Sequence, residues 1–286
     1  MKRSAAVLAV VAMLCGGVAP ASGVSTAQAQ AGTADSAPAQ ASAAPAAVPQ
    51  GSEMLVATRG INLPVYAVWR DDAVATLVLY SGGDGGYGHI GADGWPTSKN
   101  FLIRSARLFA AQPFNVVLVG LAPDLGELDG SARIGEQHNA DNQAIFRAIK
   151  NKSPAPIWLV GTSKGTISAA AAAIHDDGGY VAGVVLTSSL TAYSVTGAVP
   201  TQALDRIKVP VLVMHHERDA CRTCRPYEAK DIVGKLVNSP VKKWMPVSGG
   251  GDPSGDPCGP LHYHGYIGME PQVVGLIADW IRHPVN

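Results

Sequence analysis

Five short runs of uninterrupted apolar residues constrain this chain more than any other feature: "ATLVLYSG" (75–82), "FNVVLVGL" (114–121), "PIWLVG" (156–161), "VAGVVLTSS" (181–189) and "VPVLVMHH" (209–216). None alternates polar with apolar, which is the pattern of strands buried on both faces. Helix-compatible stretches separate them, at 98–112, 136–152, 164–176 and 225–238, and a further strand (241–249) and helix (270–283) follow. "EMLVATRG" and "INLPVYAVW" (53–69) read as an antiparallel leading pair. Strand and helix in alternation predict an α/β fold, a doubly wound and mainly parallel sheet covered by helices on both faces. In such sheets ligands bind beyond the carboxyl ends of the strands, so chemistry is sought there.

The N-terminus predicts a different fate for its residues. Lys2 and Arg3 precede an apolar run from Ala5 to Leu14, too short to span a bilayer, and Ala27 and Ala29 form an A-x-A site. Residues 1–29 are therefore expected to be a signal peptide, and the chain to be exported, periplasmic or secreted. Residues 30–52 are built from Ala, Pro, Gln and Ser with no aromatic residue, the composition of a disordered tether. The catalytic domain is expected over 53–286. Lysine plus arginine and aspartate plus glutamate both number 22, so no charge excess marks a nucleic-acid or anionic-membrane partner.

One turn carries a motif. In "LVGTSKGTISAAAAA" the residues Gly161-Thr162-Ser163-Lys164-Gly165 stand between a buried strand and an alanine-rich helix. That is G-x-S-x-G in its confirming context: the glycines allow a sharp strand-to-helix turn that lifts Ser163 out of the sheet as a nucleophile. The competing plain reading is a serine N-cap. "GTSKGT" lacks the spacing of a phosphate-binding loop, and no dinucleotide fingerprint is present.

With this elbow, and over almost everything from Leu77 to Ile281, the chain resembles the α/β-hydrolase fold family, in particular exported dienelactone hydrolase-like serine esterases. The resemblance implies a Ser, acid, His order. It places the acid in the loop after "VPVLVMHH", at Asp219, with Glu217 as the near rival. It places the base at His264 of His264-Gly265-Tyr266, with His262 as alternative. The oxyanion hole would use the Lys164 N–H and one from the glycine-rich Ser81–Gly86 loop, Gly83 first and Asp84 next. Ser81 stands where many esterases have histidine in H-G-G-G. Similar secreted hydrolases share the pattern Arg133, His138 and Asp141, read as a structural polar network.

Loss of the leader removes Cys15 and leaves Cys221, Cys224 and Cys258, which suits one disulfide and one free thiol. Similar exported hydrolases imply the pair Cys221 and Cys258; Cys224 with Cys258, or Cys221 with Cys224, remain open. His215, His216, Asp219, Cys221, Cys224, His262 and His264 have the chemistry of zinc ligands, but a zinc enzyme has no use for a serine elbow, so neither metal nor cofactor is expected. His215 and His216 are expected to shape the pocket or cap the sheet, and Tyr87, Trp95 and Tyr266 either to line an acyl pocket or to serve as ordinary core packing. The short stretch between "LTSSL" and "RIKVP" leaves little room for a cap domain. The resemblance thus implies a carboxylic ester hydrolase with a Ser163 acyl-enzyme and a small-molecule ester substrate. Peptide or amide hydrolysis on the same residues is an alternative, and a non-catalytic envelope binding protein is another.

Overall fold

Neighbouring residues on the central strands enter two different cores. On β3 (Ala75–Tyr80), Leu77 and Leu79 pack into one apolar cluster while Val78 and Tyr80 pack into the other. A strand can do this only when both of its faces are covered, which is why its sequence shows no polar alternation. The computed structural model describes residues 48–286; the expected leader 1–29 and the tether as far as residue 47 lie outside those residues.

Eight strands form one sheet in the order β1-β2-β4-β3-β5-β6-β7-β8. They are β1 (Ser52–Thr58), β2 (Ile61–Val68), β3, β4 (Phe114–Val119), β5 (Ile157–Thr162), β6 (Val181–Thr187), β7 (Val211–His216) and β8 (Lys242–Val247). β1 and β2 are the expected antiparallel pair, β2 meets β4 antiparallel, and every later pairing is parallel. Strand β1 opens at Ser52, and Gln50 donates to the Gly94 carbonyl at 2.9 Å, so ordered chain begins slightly ahead of the expected Glu53.

The helices are α1 (Phe101–Arg104), α2 (Ala106–Ala110), α3 (Gly130–Ile134), α4 (Glu136–Lys152), α5 (Gly165–Ile174), α6 (Pro226–Lys235) and α7 (Glu270–Arg282). Apolar residues of α4, α5 and α6 join one cluster; those of α1, α2 and α7 join the other. The single helix expected over 98–112 is two, because Ser105 leaves helical geometry at φ −93° and ψ 2°. The short α3 was not foreseen from apolar periodicity, although Asp129 caps it by accepting from the Ala132 N–H at 2.7 Å. Between β6 and β7 the described chain forms only two single-turn 3-10 segments, Val199–Thr201 and Leu204–Arg206, and builds no large cap.

Chain order reverses around β3, with β4 on one side and β5 on the other. The crevice at such a switch point opens between the loops after β3 and β5, which are the glycine-rich loop and the Ser163 turn. No helix among the described residues is long and apolar enough to cross a membrane.

Candidate active site

Ser163 has φ +54°, in the left-handed region that non-glycine residues seldom occupy. Its N–H donates to the Thr187 carbonyl at 3.1 Å, so the turn stays fastened to the end of β6. The close packing behind it requires Gly165, where a Cβ would collide with the carbonyl oxygen of Tyr80 on β3. Main-chain geometry therefore holds the half-buried Ser163 at the sheet's carboxyl edge.

Asp219 follows β7 and is buried. Its Oδ2 accepts from His264 Nδ1 at 2.8 Å and from His215 Nε2 at 2.9 Å, and its Oδ1 accepts from the Cys221 N–H at 2.9 Å. Burial alone would raise the Asp219 pKa, but the bonds from the two histidines outweigh it and hold the carboxyl down to about 2. His215 Nε2 also lies 3.0 Å from the Cys224 carbonyl, which can only accept, so that nitrogen carries the proton. His215 is thus a second histidine on the candidate acid rather than a pocket wall. His216 stacks on Tyr263 and lies 3.2 Å from the Gly249 carbonyl. Glu217, the rival acid, is exposed, and His262 packs edge-on against Tyr263.

Two residues with strained or left-handed backbone fix the His264 loop, and neither was singled out for that role from the sequence. Ser188, at φ +44°, donates its hydroxyl to the His264 carbonyl at 2.8 Å. Tyr266, at φ +57°, donates its hydroxyl to the Met214 carbonyl at 3.1 Å and accepts from the Ser188 N–H at 3.1 Å. Arg104 of α1 adds a bond to the Gly265 carbonyl and an ion pair with Glu270 at 2.8 Å. Cys221 and Cys258 are joined by a disulfide, the pairing the resemblance implied, which ties the Asp219 loop to the His264 loop.

His264 Nε2 is buried without a hydrogen-bond partner among the described residues. Ser163 Oγ lies 4.0 Å from Cys224 Sγ, so in this state the serine hydroxyl faces the free thiol rather than the imidazole. Burial, and after it the Asp219 charge, push the Cys224 thiol up to about 12. Of the residues weighed as zinc ligands, Cys221, Cys224 and His264 bring ligand atoms within 4.8 Å of one another. Cys221 sulfur is already bonded to Cys258, and His264 Nδ1 to Asp219.

A cleft of about 330 Å³ lies above Ser163, lined by Gly82 to Gly85, Ser98 to Phe101, Cys258, Pro260 and His264. Of the two readings of Tyr87, Trp95 and Tyr266, packing holds: all three are buried in the core, and Phe101 is the aromatic residue of the lining. Their rings cluster with core partners, Tyr66 with Tyr87 and Trp95, and Phe101 with Tyr266. Lys164 Nζ lies 3.7 Å from Asp84 across the mouth. Among the described residues the N–H groups of Lys164, Gly83 and Asp84 have no hydrogen-bond partner. The expected network of Arg133, His138 and Asp141 is not one network. Asp141 pairs with Arg59 at 2.8 Å, His138 packs edge-on against Tyr80, and Arg133 turns toward the glycine-rich loop.

No protein-family model and no curated protein sequence matches the chain. Solved structures do resemble it. A dienelactone hydrolase from Anabaena variabilis is 16% identical with a TM-score of 0.57, over 84% of this chain and 100% of that one. A lid-less α/β serine hydrolase from Xanthomonas campestris is 14% identical with a TM-score of 0.55, over 83% and 97%. The esterase domain of a Rhodothermus marinus protein is 14% identical with a TM-score of 0.56, over 82% and 98%. With its parallel sheet, its elbow after β5 and these neighbours, the chain has the α/β-hydrolase fold.

Proposed function

We propose that this chain is an exported serine hydrolase that cleaves carboxylic esters through an acyl-enzyme on Ser163. The observation that carries the reading is a bonded Asp219–His264 pair, 2.8 Å apart, converging with an elbow serine at φ +54° on one cleft. A serine hydroxyl is a weak nucleophile at neutral pH and needs a base. Asp219 takes the Nδ1–H of His264, which leaves the Nε2 lone pair for the Ser163 proton. In this mechanism Ser163 Oγ turns from Cys224 to that nitrogen when substrate binds, the stage at which catalytic hydrogen bonds often tighten.

Ser163 Oγ then attacks the ester carbonyl, and its proton passes to His264 Nε2. The Lys164 N–H and one N–H of the Gly83–Asp84 turn donate hydrogen bonds to the oxyanion of the tetrahedral intermediate. Collapse returns the proton to the departing alcohol and leaves the acyl group on Ser163. Water, activated by the same histidine, releases the acid. Without a large cap the cleft is open, which favours small or accessible esters. Export is supported by the leader-type N-terminus and by the Cys221–Cys258 disulfide.

One observation favours a second reading, a catalytically silent binding protein: Ser163 Oγ faces Cys224 and not His264. Labelling with a fluorophosphonate probe separates the two. Labelling at Ser163 in the native chain and its loss in Ser163→Ala, together with turnover across a chain-length series of aryl esters, would support the hydrolase. An unlabelled native chain would favour the binding protein, and faster turnover of peptide amides than of esters would move the substrate to amides.

A further inference from the structure

Arg133 is the largest fully buried side chain among the described residues, and the charges of Asp84 and Asp129 reach it only from beyond ion-pair distance. A guanidinium so placed is costly unless its donors are met. All of its hydrogen bonds go to neutral oxygens: Nε to Leu128 O at 2.8 Å, Nη1 to Ser168 Oγ at 2.9 Å, and Nη2 to Ser81 O at 3.2 Å and Gly83 O at 3.1 Å. Burial pulls its pKa down to about 10, so it stays charged at neutral pH.

These acceptors are not scattered. Ser81 and Gly83 belong to the loop that carries the Gly83 and Asp84 N–H groups, and Ser168 lies on α5, whose start carries the Lys164 N–H. One rigid, planar fork therefore spans both sides of the oxyanion hole of the proposed hydrolase, and this inference rests on that reading. We infer that Arg133 is the positioning residue of the oxyanion hole, and that the loop donor it sets is the Asp84 N–H.

Peptide geometry selects the donor. In a trans peptide the C=O and the following N–H point in opposite directions. Arg133 takes the Gly83 carbonyl inward, so the Asp84 N–H faces away from the protein interior, and Asp84 is itself exposed. The Asp84 carbonyl is taken by the Leu128 N–H at 2.8 Å, which fixes the next peptide as well. The Gly83 N–H belongs to the peptide whose carbonyl makes only a 3.3 Å turn bond with the Gly85 N–H. A charged donor on the Gly83 carbonyl also polarises that peptide and strengthens its N–H as a donor. Lysine at 133 would keep the charge but not the fork, since its single ammonium cannot meet acceptors on the loop and the helix in the same planar geometry.

The test compares the native chain with Arg133→Lys, Arg133→Gln, Asp84→Pro, which deletes the N–H together with the carboxylate facing Lys164, and Asp84→Ala, which removes that carboxylate alone and controls for it. Asp84 lies outside the positive-φ region that proline cannot enter, and a loss in Asp84→Ala as large as that in Asp84→Pro would overturn the assignment of the donor to the Asp84 N–H. The readouts are kcat and KM on para-nitrophenyl acetate, the inhibition constant of phenylboronic acid, whose tetrahedral adduct places an oxygen in the hole, and the thermal midpoint. The expected result, in all but the Asp84→Ala control, is a fall in kcat on the order of 10²-fold with KM little changed, and a parallel loss of boronate affinity. Arg133→Lys combined with Asp84→Pro should be scarcely worse than either alone, because both remove one donor. Variants of Arg133 that lower the midpoint but keep native kcat when assayed folded would overturn the inference. If they do not fold, native kcat in Asp84→Pro overturns it. A native chain that neither turns over ester nor takes up fluorophosphonate would bring down the hydrolase reading and this inference together; an active native chain beside fully active variants would bring down this inference alone.

Discussion

The two halves of the candidate site are held in place by different means. Ser163 is positioned by backbone: a strand, a left-handed residue and a helix packed directly onto β3 at Gly165. Asp219 stands on a loop and His264 on a single 3-10 turn (Tyr263–Gly265) set in one, and side chains position them: Ser188, Tyr266 and Arg104 on the histidine loop, His215 on the acid, and the Cys221–Cys258 disulfide between the two. Regular structure leaves a group few conformations to lose, whereas a loop carries more conformational entropy that crosslinks and buried hydrogen bonds must offset. The first half should therefore fail by collision and the second by loosening.

The largest effect is chemical and treats the halves alike. Ser163→Ala and His264→Ala should each lower kcat by roughly 10⁴-fold or more, and the double variant should be no worse, because in the proposed mechanism the two residues act as one unit. Steady-state assays with active-site titration check this; additive losses would break the unit into independent parts. The next effect belongs to the nucleophile half. Gly165→Val should yield little folded protein, since its Cβ meets the backbone oxygen of Tyr80 and no side chain can move aside, a strain beyond the ~3 kcal/mol usual for overpacking. Circular dichroism of the purified variant would show it, and a native-like spectrum would mean that α5 can shift on β3.

This contrast also explains what could be read in the sequence. The nucleophile half was legible because its determinants are contiguous: a buried apolar run, G-x-S-x-G and an alanine-rich helix. Asp219 and His264 could be placed only through a family resemblance, because their meeting depends on loops far apart in sequence. The clamping roles of Ser188 and Tyr266 are not legible, since nothing local marks a serine or tyrosine as a loop clamp; their positive φ values belong to the folded chain. Tyr87, Trp95 and Tyr266 could not be assigned between cleft and core because an aromatic residue near a motif serves a core as readily as a pocket. The Arg133 pattern was seen, but its partners are backbone carbonyls, which any sequence contains.

The loosening expected of the second half appears on removing the crosslink. Cys258→Ser opens a loop of sequence separation 37 and should cost roughly 3–4 kcal/mol in chain entropy, read as a lower midpoint in urea. Active-site titration at low denaturant should show kcat falling before global unfolding, while the Ser163 turn, held by its backbone bond to Thr187, stays intact. Loss of activity coincident with global unfolding would mean that Ser188, Tyr266 and Arg104 suffice to hold the loop.

Acid should also separate the halves. His138, packed on Tyr80 beneath the nucleophile side, is held by burial down to about 3, against an ordinary 6.5. The unfolded chain therefore binds the proton that the folded chain refuses, and stability falls by about 1.4 kcal/mol per pH unit as pH drops from 6.5 toward 3. Asp219 acts lower. Its folded value of about 2 against 3.8 stabilises the fold fully above 3.8, and that contribution, about 2 kcal/mol, fades as pH falls toward 2. Unfolding free energies measured from pH 7 to 2 should thus have a shallower upper slope in His138→Phe, the remainder coming from His216, which burial also holds below its ordinary value, and a shallower lower slope in Asp219→Asn. A single slope removed by either substitution would mean that the two halves titrate as one body, and that the backbone-held and side-chain-held parts of the site are not energetically distinct.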